Sequence, residues 1–390
     1  MALVVGVVKE TMLGERRVAL TPRVAEGLSK AGVQILVERG AGEAAGYPDA
    51  DFAARGARLE SRDAVLEQAA VVAQIRTLGA NPEAGLADLE RYRRGQVLVG
   101  LGEPLTAKAE TVALASRGVT LFALELVPRI TRAQSMDVLS SMGSLAGYKA
   151  VLMAATLLPK MLPMMTTAAG TVPPAKVLVL GAGVAGLQAI ATARRLGAVV
   201  SGYDIRPAAR EQVESLGAKF VVLENVDIAG AEDKGGYAKA MGEEFYRRQQ
   251  AALAAIIREM DIVLATAAVP GRKAPVLVTA EAVEGMAPGS VVFDLAAERG
   301  GNCALTRPGE TVIHGGVQVL GPLNVPSTVP FHASQLFATN IAAFLKLLVN
   351  KGELAIPWND EIVRETAVLK DGEVVNPRVA ELMGTAAELV

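Results

Sequence analysis

Six consecutive residues, Gly181-Ala-Gly183-Val184-Ala185-Gly186, carry the spacing that most directly implies chemistry. A glycine in the first place permits a tight turn, and one in the third lets backbone approach a pyrophosphate. One in the sixth lets a helix pack closely on the strand before it. The flanks agree: Lys176 to Leu180 is an apolar strand, and Leu187 to Leu196 is a helical run whose free N–H groups would face phosphates. The next apolar strand, Val199 to Tyr203, ends on Asp204, followed by Ile205 and Arg206. A carboxylate there accepts from a ribose 2′-hydroxyl and repels a 2′-phosphate, which favours NAD(H) over NADP(H). Arg206 pulls the other way, since a nearby arginine can accommodate that phosphate. The plainer alternative is a glycine-rich strand-to-helix turn with no ligand.

Other chemistries have little to work with. One cysteine, Cys303, excludes an internal disulfide, and with only His314 and His332 beside it a His/Cys metal cluster is not expected. A net charge of −2, with basic residues scattered among acids, offers no electrostatic footprint for nucleic acid. Hydrophobic residues make up 51% of the 390, enough for a core-rich globular protein of two domains. Met1 to Val8 lacks a basic start, so no secretory leader is expected. The apolar runs at 150–165, 177–193 and 337–349 are broken by proline, glycine or polar residues, so no spanning helix is expected and the chain should be soluble.

Around the motif, β-rich runs alternate with helical patterns. Strands are expected at 2–8, 33–38, 71–75, 96–101 and 121–125, with a helix at 23–31. A long helical stretch at 136–167 precedes Pro173-Pro174, and strands follow at 176–180, 199–203, 220–223, 262–265, 291–294 and 317–320. Helical pattern resumes at 331–349. Such alternation implies βαβ units. The expected fold is therefore α/β, with two Rossmann-like domains built on parallel sheets. The first would be discontinuous (1–138 with 328–390), and the second, 139–327, would hold the dinucleotide.

From the glycine motif outward the sequence resembles the family shared by alanine dehydrogenases and the NAD(H)-binding component of proton-translocating transhydrogenases. The likeness runs through Lys9-Glu-Thr, Glu15-Arg-Arg-Val-Ala-Leu-Thr-Pro22, Tyr203-Asp-Ile-Arg-Pro207 and Asp294-Leu-Ala-Ala-Glu-Arg-Gly-Gly301. Three features separate the branches. Pro128-Arg-Ile-Thr-Arg-Ala-Gln-Ser-Met-Asp-Val-Leu-Ser-Ser141 resembles the transhydrogenase loop that holds the nicotinamide end of NAD(H) against NADP(H) on a partner. The resemblance assigns its working positions to Arg129, Gln134, Asp137 and Ser140. Arg129 and Asp137 have the charges to pair and fix the loop. By composition alone the segment reads as a helix start capped by Thr131 or Ser135. Second, Asp233 to Phe245 resembles the mobile loop that closes over bound nucleotide, with Tyr237 and Met241 toward the ligand. Third, the dehydrogenase branch needs a lysine and a histidine at the ends of two first-domain strands for acid–base work. Here those strands read Ala73-Gln-Ile-Arg-Thr77 and Val97-Leu-Val-Gly-Leu101, and neither residue is in place. Arg17, where that branch holds a substrate carboxylate, is expected to be structural, paired with Glu15 or another acid.

The resemblance implies further site residues and partners. Ala265, Thr266 and Ala267 would lie beside the nicotinamide ribose, and Asn324 near the nicotinamide. His332, between Phe331 and Ala333, is expected to be a satisfied core group. Direct hydride transfer between two nicotinamides needs alignment and exclusion of water, and no base on this chain. The implied partners are a membrane subunit and a beta subunit carrying the NADP(H) domain. A homodimer on the cytoplasmic face of the membrane is also implied. Two other readings stay open: a free-standing amino-acid dehydrogenase, and a silent NADH-binding module.

Overall fold

Strands buried on both faces must be sandwiched by helices, and the central strands of both sheets are buried along almost their whole length. The computed structural model describes residues 3–223, 242–268, 271 and 273–384. In chain order its first six strands are β1 (Val4–Val7), β2 (Gln34–Glu38), β3 (Arg58–Glu60), β4 (Val71–Arg76), β5 (Val97–Leu101) and β6 (Thr120–Ala123). A hairpin of β7 (Met165–Thr167) and β8 (Gly170–Val172) follows. Then come β9 (Lys176–Leu180), β10 (Val199–Tyr203), β11 (Lys219–Phe220), β12 (Ile262–Ala265), β13 (Val291–Asp294), β14 (Thr311–His314) and β15 (Val317–Leu320). The last stretch adds a small hairpin, β16 (Val349–Asn350) with β17 (Glu353–Leu354), and then β18 (Ala367–Lys370) and β19 (Glu373–Val374). The chain divides into two units, Met1–Met142 with Ser327–Val390, and Gly143–Pro326.

The first unit is an eight-stranded sheet ordered β19-β18-β6-β5-β4-β1-β2-β3. Strands β1 to β6 pair in parallel, whereas β18 joins β6 antiparallel and β19 joins β18 antiparallel. The returning chain thus completes the sheet on one edge. The second unit is seven-stranded, ordered β11-β10-β9-β12-β13-β15-β14, parallel except for the β14–β15 hairpin. That hairpin turns on Gly315 and Gly316, both at positive φ. Both sheets are parallel-dominated, and the antiparallel edges are what the alternation of strands and helices did not foretell.

Period-two alternation explains how β9 serves two cores. Val177 and Val179 face one cluster with Ala150, Ile190 and Phe293, while Leu178 and Leu180 face another with Leu253, Val263 and Val292. A helix, Val138–Leu157, runs through the boundary between the units. It stops ten residues short of the expected end at 167, ahead of Pro159 and Pro163, because proline removes a donor and crowds the preceding turn. By length and composition alone this helix is long and apolar enough to cross a membrane, a test that the core helix of a soluble protein also passes. Its apolarity has a local use, since Ala150, Val151 and Ala154 are packed into the second unit's core. Two further expectations shift: β6 ends at Ala123, so Glu125 falls in a 3-10 turn, and the strand expected at 220–223 reduces to Lys219–Phe220.

Candidate functional site

The register of β9 with its neighbours assembles the site. Leu180 lies opposite Tyr203 on one side and Ala265 on the other, so Asp204 and Thr266 flank Gly181 at the carboxyl ends of three adjacent strands. β10 lies on one side of β9 and β12 on the other, making this the switch point of a doubly wound sheet, where such folds open a crevice.

The three glycines of the turn differ in what surrounds them. Gly181 sits at φ +95°, and a Cβ there would lie 2.9 Å from the Ala267 nitrogen. At Gly186 a Cβ would lie 1.8 Å from the Gly181 carbonyl oxygen, far inside contact. Gly183, by contrast, has nothing within 4 Å and is exposed, which is the open approach a pyrophosphate requires. Gly183 is also the N-cap of the helix Val184–Arg195 and offers no side chain to cap it. The first-turn N–H groups of Val184, Ala185 and Gly186 therefore have no capping side chain and can serve an anion. These residues fit a dinucleotide.

Asp204 is tied into the same turn. Its Oδ2 accepts from the Ala182 N–H at 2.8 Å and from Arg206 Nη2 at 2.8 Å. Its Oδ1 accepts from the Arg206 N–H at 2.8 Å and from Arg206 Nε at 2.9 Å. Ile205 is half-buried between them and packs on the core beneath. On the other flank, Thr266 Oγ1 donates to the Gly181 carbonyl at 2.8 Å, and the Ala265–Ala267 segment crosses beneath the turn. Asn324 lies past β15 at φ +49°, its N–H donating to the Glu298 carboxylate. Tyr237 and Met241 lie outside the described residues.

Two contributors left no mark in the sequence. Gly147, on the helix Val138–Leu157, would place a Cβ 2.0 Å from the Ala185 carbonyl oxygen, so this glycine lets that helix approach the turn. Asn302, fully buried, donates to the carbonyl oxygens of Ala267 and Pro275 at 2.8 Å each and accepts from the Ala267 N–H at 3.0 Å. It grips Ala267 as a neighbouring strand would. Asp294 in turn accepts from the Asn302 and Cys303 N–H groups and the Thr306 hydroxyl. No local pattern marks either role, because each depends on a partner distant in sequence.

Arg129, Gln134, Asp137 and Ser140 all belong to the first unit. Thr131–Met136 forms a 3-10 turn fixed from two sides: Asn340 Nδ2 donates to the Ser135 carbonyl at 2.8 Å, and Arg132 forks onto Asp360. Arg129 and Gln134 are exposed, and among the described residues nothing engages the Gln134 amide. Asp137 accepts from the Ser140 N–H at 2.8 Å and its hydroxyl at 2.6 Å. The helix cap is therefore Asp137, not Thr131 or Ser135.

Upstream of this loop, Glu125 Oε1 accepts from the Gly102 and Glu103 N–H groups, while its Oε2 is buried without a partner among the described residues. Burial, with Glu103 nearby, pushes this carboxyl up to about 7. A carboxyl raised in the folded state lends stability at acid pH that fades as pH climbs from the ordinary value of 4.5 toward 7. Glu125→Gln should remove that decline, so relative to wild type it gains on the order of 3 kcal/mol across this range. Urea unfolding of both proteins at the two ends of the range checks it, and a pH-independent difference refutes it.

Arg17 is structural, as expected. It forks onto Glu15 at 2.7 and 2.6 Å, and Arg76 reaches the same carboxylate at 3.2 Å. Burial alone would raise Glu15, but Arg17 and Arg76 together bring it down to about 2. His332 departs from expectation: it is exposed at the start of the helix Pro330–Leu348, edge-on to Phe331, not a core group.

Fold and site together define an α/β protein with a Rossmann-type dinucleotide turn. Comparison with known proteins narrows this. Residues 6–146 match the alanine dehydrogenase/PNT N-terminal domain and residues 150–377 the C-terminal domain, so the chain belongs to the alanine dehydrogenase/PNT family. It is 47% identical to the first of the chains that make up NAD(P) transhydrogenase subunit alpha in Rhodospirillum rubrum, over 376 residues, covering 96% of this chain and 98% of that one. Alanine dehydrogenase of Mycobacterium tuberculosis is 29% identical, covering 97% and 96%. Among solved structures, transhydrogenase from Sinorhizobium meliloti superposes with a TM-score of 0.85 at 45% identity, covering 95% of this chain and all of that one. An L-alanine dehydrogenase gives 0.82 at 26% identity, covering both chains completely.

Proposed function

We propose that this chain is the NAD(H)-binding component of a proton-translocating transhydrogenase, and that it presents NADH for direct hydride transfer to NADP⁺ held on a partner subunit. The observation that carries the reading is the identity gap: 47% to a transhydrogenase alpha chain against 29% to an alanine dehydrogenase, over nearly the same length. Fold similarity does not separate the two, since both superpose well. The absence of the dehydrogenase lysine and histidine from β4 and β5 points the same way.

In this reading the bound nicotinamide supplies the hydride, and the protein supplies alignment. The N–H groups of Val184 to Gly186 hold the pyrophosphate, Asp204 holds the adenosine ribose, and Ala265 to Ala267 line the nicotinamide ribose with Asn324 nearby. Tyr237 and Met241 close over the nucleotide. Arg129, Gln134, Asp137 and Ser140 set the nicotinamide end, with Asp137 acting through its cap on Ser140. A site that only positions needs no group titrating near neutrality, and effective alignment alone is worth about 7–11 kcal/mol of barrier in favourable cases. The partners are a membrane subunit and a beta subunit with the NADP(H) domain. The chain works as a homodimer on the cytoplasmic face of the membrane, and its turnover is coupled to proton movement by those partners.

The test is reconstitution. The purified chain alone should bind NADH but transfer hydride negligibly to an NADP⁺ analogue, and adding transhydrogenase partner subunits should restore transfer. NAD⁺-dependent deamination of alanine by the chain alone would instead establish the dehydrogenase reading, and NADH binding without restored transfer would leave a silent nucleotide-binding module.

A further inference from the structure

Asp204, which the proposed function assigns to the nucleotide's ribose, has no acceptor position to spare. A carboxylate offers about four lone-pair directions. Four donors take them: the Ala182 and Arg206 N–H groups, and the Nε and Nη2 of the Arg206 guanidinium, all at 2.8 to 2.9 Å. The carboxylate is 7% exposed and the guanidinium side chain 19% exposed, so water does not compete freely for the pair. The two backbone donors belong to the turn itself and keep the carboxylate oriented. The guanidinium fork occupies the rest, on the two oxygens that a ribose diol would use.

We propose that Arg206 is an internal competitor for the ribose site and, once displaced, the residue that limits discrimination between NAD(H) and NADP(H). An incoming 2′,3′-diol must lift the guanidinium from Asp204, so part of the diol's binding is spent on breaking that pair. The displaced cation stays within reach of the 2′ position, because its own N–H remains bonded to Asp204 Oδ1. There it offsets the repulsion between Asp204 and a 2′-phosphate. The same side chain therefore weakens NADH binding and softens the rejection of NADPH. For a component that must load and release NADH at every turnover, such weakening speeds exchange at the cost of selectivity.

This inference rests on the reading of the site as a nucleotide site, and the experiment separates the two. Dissociation constants for NADH and NADPH would be measured by titration calorimetry on the full chain, wild type, Arg206→Ala and Arg206→Lys. Arg206→Ala should tighten NADH by about threefold and weaken NADPH by about tenfold, given what a partly buried ion pair and a lost phosphate contact contribute. The NADPH-to-NADH ratio of constants then rises about thirtyfold. Arg206→Lys keeps the charge but not the fork, so its NADPH affinity should stay close to wild type. An unchanged ratio in Arg206→Ala, or equal weakening of both nucleotides, overturns the inference and makes Arg206 an ordinary contact or prop. No NADH binding by the wild-type chain would overturn the nucleotide reading, and this inference with it.

Discussion

Replacing Gly186 by alanine is expected to abolish NADH binding, with affinity down at least about 100-fold, and to lower the unfolding midpoint of the apo protein. The reason is steric. A Cβ at this position would stand 1.8 Å from the Gly181 carbonyl oxygen, a backbone atom in a turn that cannot retreat, since Thr266 also holds that carbonyl. Overpacking at such a point typically costs about 1–3 kcal/mol in stability. The helix would have to move off the strand, taking its N-terminal donors away from the phosphates. Gly183→Ala provides the contrast. That position has open space around it and an ordinary backbone conformation, φ −78° and ψ −169°, so the apo midpoint should hold. NADH should weaken nonetheless, by about tenfold, because the methyl stands where the pyrophosphate must come. Calorimetry and thermal melts of both variants check the pair. Wild-type NADH affinity in Gly186→Ala would show that the turn is not the nucleotide site, whatever its glycines do for packing.

The second large effect concerns the first unit. Gln134→Asn shortens an exposed side chain that no described residue engages, so neither stability nor NADH affinity should change by more than about twofold. Hydride transfer in the reconstituted complex should nevertheless fall by about 100-fold, since a displacement near 1 Å of a positioning group can cost that much. Asp137→Ala separates positioning from folding. Asp137 caps the helix Val138–Leu157 through Ser140, so its removal should lower stability by about 1 kcal/mol as well as the transfer rate. Stopped-flow transfer assays and melts on the two variants give the answer. Full transfer by Gln134→Asn would remove the loop from the mechanism, leaving the nucleotide turn untouched.

How much could be read from the chain depends on the range of each interaction. The strand, turn and helix at 176–195 were legible because a run of buried valine and leucine, three spaced glycines and a helical segment are all local features. The alternation of such units was enough for the α/β class and the parallel-dominated sheets, since a period of two or 3.6 is written in neighbouring residues. Family membership was legible for the same reason, in contiguous stretches such as Glu15 to Pro22. The misses all involve remote partners or weak local signal. The edge strand Thr311–His314 pairs antiparallel only because Gly315-Gly316 turns it back, and β18 and β19 join the first sheet from beyond residue 366. The long helix at 138–157 was legible, but its end was set ten residues late, at 167, because the apolar run carries on past Pro159 and Pro163.

The candidate site divides along the same line. By itself the sequence determined where a phosphate-binding turn could form, which carboxylate follows it, and that no lysine–histidine pair stands on the first unit's strands. Only the tertiary structure decided that Arg206 lies across Asp204, that Asn302 grips Ala267 and that Gly147 makes room for Ala185. It also decided that Asp137 is a helix cap. A side chain's type and neighbours in the chain state what it can bond to. Which of several competent partners it does bond to is settled by packing, which brings distant donors and acceptors within 3 Å and leaves the losing pairings unmade.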